Sequence, residues 1–251
     1  MFQKLKQFLF VPSREFVATA PIHYVLKSLS SWNLLGWKPL ATVLYASPQL
    51  RAGWTKLDVN ERIIEVPWVY SQLNFKKKGK VLDIGWLEST LPISLATAGF
   101  SVTGLDIRSG ELTHPNFEGL VGDICETKLP SNSFDYVILL STLEHIGLNT
   151  LYGRAASGSS DKKAVEQCLR VLKLSGKLLI TTPVAKQAAV NDFMRIYTPA
   201  ILKRLVRNGA IESLEFFKAN QNRTAWSVTS ENDLPTPPDF GVALVVVKKG
   251  Q

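Results

Sequence analysis

The sequence predicts an α/β protein built on a doubly wound, mostly parallel sheet. Three observations carry that expectation. From Lys80 onward, short apolar runs alternate with segments of helical periodicity. The first run, "KVLDIG" (80–85), closes on a glycine of the kind that turns a strand into a helix. Polar residues then recur at the ends of successive runs, where ligands of such sheets bind.

Asp58-Val-Asn-Glu61 reads as a capping box, followed by a stripe of Ile63, Ile64, Val66, Val69 and Leu73. Pro67 is expected to kink or restart that helix, and Lys76-Lys77-Lys78-Gly79 to end it. After the first strand, "LPISLATAG" is a helix with Ser89 or Thr90 as cap, Pro92 early and Gly99 as its stop. "FSVTGLDI" (100–107), "FEGLVGDI" (117–124) and "FDYVILLS" (134–141) are the next three strands. The last of these is apolar almost throughout and is therefore expected to be buried on both faces. Asp161 is placed as the cap of "DKKAVEQCLRVLK", and Ser175-Gly176 as a turn into "KLLITTP" (177–183). Thr198-Pro199 opens "AILKRLVRNG", which Gly209 ends. "IESLEFFKA" and "GVALVVVKK" are two terminal strands separated by a proline-rich excursion.

The chain has 251 residues, 45% of them hydrophobic and 20% charged, an ordinary balance for a globular protein. Cys125 and Cys168 are far apart, which argues for a reducing compartment rather than a disulfide scaffold. Three scattered histidines speak against a multi-histidine metal site. No apolar run approaches the roughly 20 residues that a membrane span needs. No signal peptide is read at the N-terminus, so a cytoplasmic location is expected.

Charge is unevenly distributed. Residues 1–80 hold twelve basic and four acidic side chains, and the rest of the chain is balanced at seventeen of each. Residues 1–57 are basic and aromatic, with Trp32, Trp37 and Trp54 in a stretch broken by Pro12, Pro21, Pro39 and Pro48. That composition is too apolar for disorder and suggests an extension that packs on or caps the core. Phe2, Leu5, Phe8 and Leu9 beside Lys4 and Lys6 fit either a docking helix or a membrane-surface helix.

The strand ends point to a nucleoside. Asp83, Gly85 and Trp86 lie at the end of the first strand. Asp106 ends the second, twenty-one residues past Gly85, where a carboxylate takes ribose hydroxyls. Asp123 and Ile124 follow, a pairing suited to an adenine amine and ring. Ser141, Glu144 and His145 come after the fourth strand. Any one aspartate alone is most simply a turn or cap residue; four successive strand ends converge on a site.

The stretches "VLDIG", "VTGLDI", "VGDICETKLPSNSFDYVILLSTLEHIG" and "CLRVLKLSGKLLITTP" resemble class I S-adenosylmethionine-dependent methyltransferases of the methyltransferase type 11 kind. The last departs from the family's usual Pro-Gly-Gly turn with Leu174-Ser175-Gly176. The resemblance implies a Rossmann-like, seven-stranded sheet over residues 58–251, with an antiparallel last strand inserted between the fifth and sixth. It implies S-adenosyl-L-methionine as cofactor, lined by Asp83, Gly85, Asp106, Ile107, Asp123, Ile124 and Ser141.

The first glycine loop is degenerate: Trp86, Leu87 and Glu88 follow Gly85. A dinucleotide would set its pyrophosphate against that backbone, where Leu87 crowds and Glu88 repels. S-adenosylmethionine has no phosphate, and its ammonium group suits Asp83. Trp86 is expected either as a wall of the site or as a packing residue.

Methyl transfer needs positioning and, for a hydroxyl acceptor, a base. His145 with Glu144 is the candidate; the simpler reading of "LEHI" is a structural turn with His145 bonded to backbone. The glycine- and serine-rich connection over 147–161, with Tyr152 and Arg154, has the place of a mobile substrate loop. Arg195 and Tyr197 are candidates for a cleft edge. A small molecule, sugar or glycan precursor is the expected acceptor, since no nucleic-acid module is visible. A catalytically inactive binding protein of the same fold is the second reading, and an NAD-dependent oxidoreductase the third. The basic N-terminal segment is expected, at most, to make weak contact with an anionic partner or membrane surface. Cosedimentation with anionic vesicles should then fall steeply between low and high salt; salt-independent or absent binding rejects that contact.

Overall fold

The computed structural model describes residues 60–148 and 160–249. The extension over 1–57, Asp58, Tyr152 and Arg154 lie outside them.

Helix α1 (Arg62–Gln72) follows a turn in which the Asn60 side chain accepts from the Arg62 amide at 3.1 Å. Pro67 lies inside α1 rather than dividing it. As the sixth residue of the helix it supplies no amide to the Ile63 carbonyl four positions earlier, and the packing of Trp68, Val69 and Leu73 holds the helix across it. Then come β1 (Lys80–Ile84), α2 (Leu91–Thr97), β2 (Ser101–Asp106), β3 (Phe117–Val121) and β4 (Phe134–Leu140). Helix α3 (Asp161–Val171) leads into β5 (Leu172–Val184). A two-strand ribbon, β6 (Ala189–Val190) and β7 (Arg195–Ile196), precedes α4 (Pro199–Leu205). Strands β8 (Gly209–Ala219), β9 (Trp226–Thr229) and β10 (Gly241–Lys249) finish the described chain.

The main sheet has eight strands in the order β3-β2-β1-β4-β5-β10-β8-β9. The first five pair in parallel, and β10 runs antiparallel to both β5 and β8. The antiparallel last strand between the fifth and sixth is thus present, with one strand more than expected. That extra strand, β9, pairs antiparallel with β8 at the sheet edge. Its "WSVT" carries an exposed Val228, so it lacks the apolar pattern that marks a buried strand.

Alternate residues of each strand face opposite sides of the sheet. On one side Leu82, Val137, Leu139, Leu178 and Ile180 pack with Val165, Cys168 and Leu169 of α3 and Leu202 of α4. On the other, Val81, Val102, Ile138, Leu140 and Leu179 pack with Val69 of α1 and Leu91 and Leu95 of α2. This double burial is why the central strands read as continuous apolar runs.

Three local expectations are corrected. Ser160, not Asp161, caps α3: its Oγ accepts from the Lys163 amide at 3.1 Å, while Asp161 is the first helical residue. Ser175-Gly176 is no turn but part of β5, where a Cβ at Gly176 would stand 2.8 Å from the Asp135 carbonyl. Gly209 begins β8 instead of ending α4, which stops at Leu205. Both cysteines are buried thiols. Burial, and then the neighbouring charge of Cys125, pushes the Cys168 thiol far up. Among the described residues no helix is long and apolar enough to cross a membrane.

Asp135 ties three strand beginnings together at the edge opposite the ligand-binding end. Its carboxylate accepts from the Lys80 amide of β1 at 2.8 Å and from Lys173 Nζ of β5 at 2.8 and 2.9 Å. Desolvation works against its charge, but these hydrogen bonds and the charges of Lys173 and Lys77 outweigh it and lower its pKa. A lowered carboxylate pKa adds stability that is present above the unfolded-state value and is lost as pH falls through the folded one. Asp135→Asn should therefore cost about 1 kcal/mol at neutral pH, discounted for partial exposure. The deficit should shrink below about pH 4 in urea melts; a pH-independent deficit would assign the effect to packing.

Candidate functional site

The carboxyl ends of the parallel strands gather the chemistry. Asp83, the fourth residue of β1, is 1% exposed and stands in register between Gly104 and Ile138. Gly85 takes φ +79°, a left-handed conformation, and its amide donates to the Leu105 carbonyl at 2.8 Å. A Cβ there would sit 2.6 Å from Thr142 Oγ1. That hydroxyl reaches the carbonyls of Ile84 (3.0 Å) and Leu140 (3.1 Å), stapling the ends of β1 and β4. Conformation and space both demand glycine here.

Ser141 has φ +44°, uncommon for a residue with a Cβ. Its amide donates to the Thr181 carbonyl at 3.1 Å and to Thr181 Oγ1 at 2.9 Å. Its own hydroxyl donates to Glu65 Oε1 at 2.7 Å. Glu65 is 0% exposed. Sequence reasoning missed this residue, although a lone carboxylate inside the apolar α1 stripe was a signal that could have found it.

The residues that replace the loop glycines each have a place in the structure. Trp86, Leu87 and Glu88 form one 3₁₀ turn. The Trp86 indole is 6% exposed and lies against two glycines of the sheet: a Cβ at Gly104 would come within 2.7 Å of it, and one at Gly119 within 3.3 Å. Phe117 meets it edge-on at 4.9 Å. Trp86 Nε1 is buried with no hydrogen-bond partner among the described residues. That costs about 1–3 kcal/mol. Burying an indole of roughly 200 Å² contributes about 5 kcal/mol, so packing wins. Leu87 Cδ2 would stand 2.0 Å from a Cβ at Gly110. Glu88 pairs with Arg108 at 2.6 Å.

At the end of β2, Asp106 accepts from the Arg108 amide (2.9 Å) and Nε (3.1 Å) on Oδ1, and from Nη2 (3.1 Å) on Oδ2. Ile107 beside it is 40% exposed. Asp123 caps the 3₁₀ turn Ile124–Glu126 by accepting from the Cys125 amide at 2.8 Å, and Ile124 belongs to the core.

Beyond β4, the 3₁₀ turn Leu143–His145 holds a second group. Glu144 is buried and its Oε2 accepts from Thr182 Oγ1 at 3.1 Å. His145 Nδ1 lies 2.7 Å from the Phe193 carbonyl, and its ring meets the Phe193 ring at 4.7 Å. Nε2 is 3.9 Å from Glu144 Oε1. Arg195 and Tyr197 brace this group from within. Arg195 Nη1 donates to the Ile146 carbonyl at 2.6 Å. The buried Tyr197 hydroxyl lies 3.1 Å from Asp161 Oδ2 and 3.3 Å from the Leu143 carbonyl. Burial first, then the charges of Asp161 and Glu144, pushes the Tyr197 phenol far up.

Residues 82–180 match the family model of a methyltransferase domain. Over those residues the chain carries a methyltransferase domain, in line with the resemblance to class I, S-adenosylmethionine-dependent enzymes. The fold is similar to that of a methyltransferase from Methanosarcina mazei, at 16% identity and TM-score 0.51, over 74% of this chain and 98% of that one. It is similar to an N1-methyltransferase from Burkholderia thailandensis that was crystallised with S-adenosylhomocysteine and 1,6-didemethyltoxoflavin. That likeness has 13% identity and TM-score 0.52, over 94% and 93% of the two chains. A phosphoethanolamine N-methyltransferase from Haemonchus contortus resembles it at 16% identity and TM-score 0.53, over 74% of this chain and 52% of that one. A search of curated proteins finds no match.

The methyltransferase domain's cofactor is S-adenosylmethionine. A buried carboxylate, Asp83, precedes a glycine with a left-handed backbone, a setting whose chemistry would suit that group's ammonium. The carboxylate at the end of β2, Asp106, is held by Arg108.

The Trp86 trough can be tested. Gly104→Ala should destabilise the domain by about 1–3 kcal/mol through overpacking. The same change in a Trp86→Ala background should cost clearly less in urea melts. Equal costs in the two backgrounds would show that the indole does not fill the space above Gly104.

Proposed function

We propose that this methyltransferase domain transfers a methyl group to a hydroxyl of a small-molecule, sugar or glycan-precursor acceptor, with His145 as general base and Glu144 as its positioning carboxylate. The carrying observation is the hold on the imidazole. A carbonyl only accepts, so the 2.7 Å contact with Phe193 makes Nδ1 the protonated nitrogen and Nε2 the basic one. Glu144 Oε1, 3.9 Å from Nε2, is placed to stabilise the imidazolium formed when the acceptor proton arrives. Burial of Glu144 strengthens that interaction by lowering the local dielectric.

Bound S-adenosylmethionine would supply an electrophilic methyl on a sulfonium. Asp83 and Gly85 would take its methionine end, with Ser141 beside them; Asp106 would take the ribose, and Ile107, Asp123 and Ile124 the adenine. Trp86 would support this site through its packing on β2 and β3. Two of the proteins of similar fold are N-methyltransferases by name, so the fold alone does not select oxygen. A base at His145 Nε2 favours a hydroxyl, because a neutral amine needs no base before attack.

The second reading, an inactive methyltransferase fold that serves as a binding protein, draws on one observation, the engagement of Asp106 by Arg108. Calorimetry with S-adenosylmethionine, S-adenosylhomocysteine and NAD separates the readings, and no binding of any of them rejects both enzyme readings. His145→Gln should lower turnover about 10²- to 10⁴-fold while leaving the dissociation constant for S-adenosylhomocysteine unchanged. Turnover near wild type removes His145 from the mechanism.

A further inference from the structure

The carboxylate at the end of β2 is already satisfied by the chain itself. Oδ1 of Asp106 takes two donors from Arg108, the backbone amide and Nε, and Oδ2 takes Nη2. A carboxylate has about four lone-pair positions, so one is left. A ribose diol brings two donors. Complete diol recognition therefore requires the guanidinium fork to leave Asp106, while the amide hydrogen bond, a local turn feature, can stay.

The fork is held from a second side. Glu88 accepts from Nη1 at 2.6 Å, and it comes from the degenerate loop that follows Gly85. The Asp106 side chain is 3% exposed and the Arg108 side chain 32%, so the arginine covers the carboxylate while remaining able to swing into solvent. Desolvation of the guanidinium would lower its pKa, but the hydrogen bonds it donates to Asp106 and Glu88 outweigh that and keep it charged.

We propose that Arg108 is a latch on the ribose-recognising carboxylate: its guanidinium competes with the cofactor's diol for Asp106, and so sets the affinity of this domain for adenosyl ligands. This rests on the reading of Asp106 as the ribose ligand. Glu88 gives the displaced guanidinium a second carboxylate to remain paired with. A ligand pays for opening the latch by the fraction of molecules in which it is open, which scales its apparent affinity directly.

The test is calorimetric titration of wild type and Arg108→Ala with S-adenosylhomocysteine, adenosine and 2′,3′-dideoxyadenosine. Loss of the latch should tighten the first two by about tenfold, the scale of a partly exposed bidentate pair. It should leave the dideoxy analogue, which has no diol, unchanged. Salt should tighten wild-type binding by screening the pair and should not do so in the variant. Arg108→Lys, which keeps the charge without the fork, should fall between the two and covers the case that the alanine variant does not fold. Binding by the variant alone supports both the latch and the cofactor reading. Binding by both with equal or weaker affinity in the variant overturns the latch and leaves the cofactor reading standing. The latch is likewise overturned if the dideoxy analogue gains as much as adenosine. No binding by either protein overturns both.

Discussion

Burial of both faces of the central strands is the constraint on which the rest of the structure depends. Strands β1, β4 and β5 have helices or their connections on each side, so each strand residue must be apolar or fully paired. Polar chemistry is then confined to the strand ends. Asp83, Thr142, Ser141 and Glu144 all lie at or just beyond that boundary, and the last three are tied to backbone or to another side chain across it. The same constraint makes the site stiff. A residue such as Ser141 can keep a positive φ only because Thr181 and Glu65 hold it from two elements.

The degenerate glycine loop is better understood as an exchange than as a loss. Bulk appears at Trp86 and Leu87, and open space appears opposite, at Gly104, Gly119 and Gly110. The turn keeps the one glycine whose conformation it needs, Gly85, and fills the room that the others leave. That arrangement places Glu88 beside Arg108 and so connects the first loop to the end of β2. A change in one loop thereby bears on the charge balance at the candidate ribose position.

Around His145 one backbone contact bears on both readings of the turn. The imidazole is bonded to backbone, as a structural turn requires, and that same bond selects the tautomer a base requires. Arg195 and Tyr197, expected at a cleft edge, instead brace the turn through the Ile146 and Leu143 carbonyls. Their positions follow from the β6–β7 ribbon, whose two-residue strands leave almost no trace in local pattern.

The α/β class, the order of the central elements, the glycine at position 85 and the polar strand ends were legible in the sequence, because each follows from local periodicity or from one residue's backbone demands. The antiparallel last strand between the fifth and sixth came only with the family resemblance. What tertiary structure alone decided are the contacts between residues distant along the chain. Glu65 reaches Ser141 across seventy-six positions, and Trp86 settles on glycines of two later strands. The edge strand β9 belongs to the same group, since it is defined by pairing with β8 and not by its own composition. Even Arg108 and Asp106, two residues apart, showed nothing in sequence of whether the fork faces solvent or the carboxylate. Side-chain direction depends on what surrounds a turn, and those surroundings exist only once the sheet has formed.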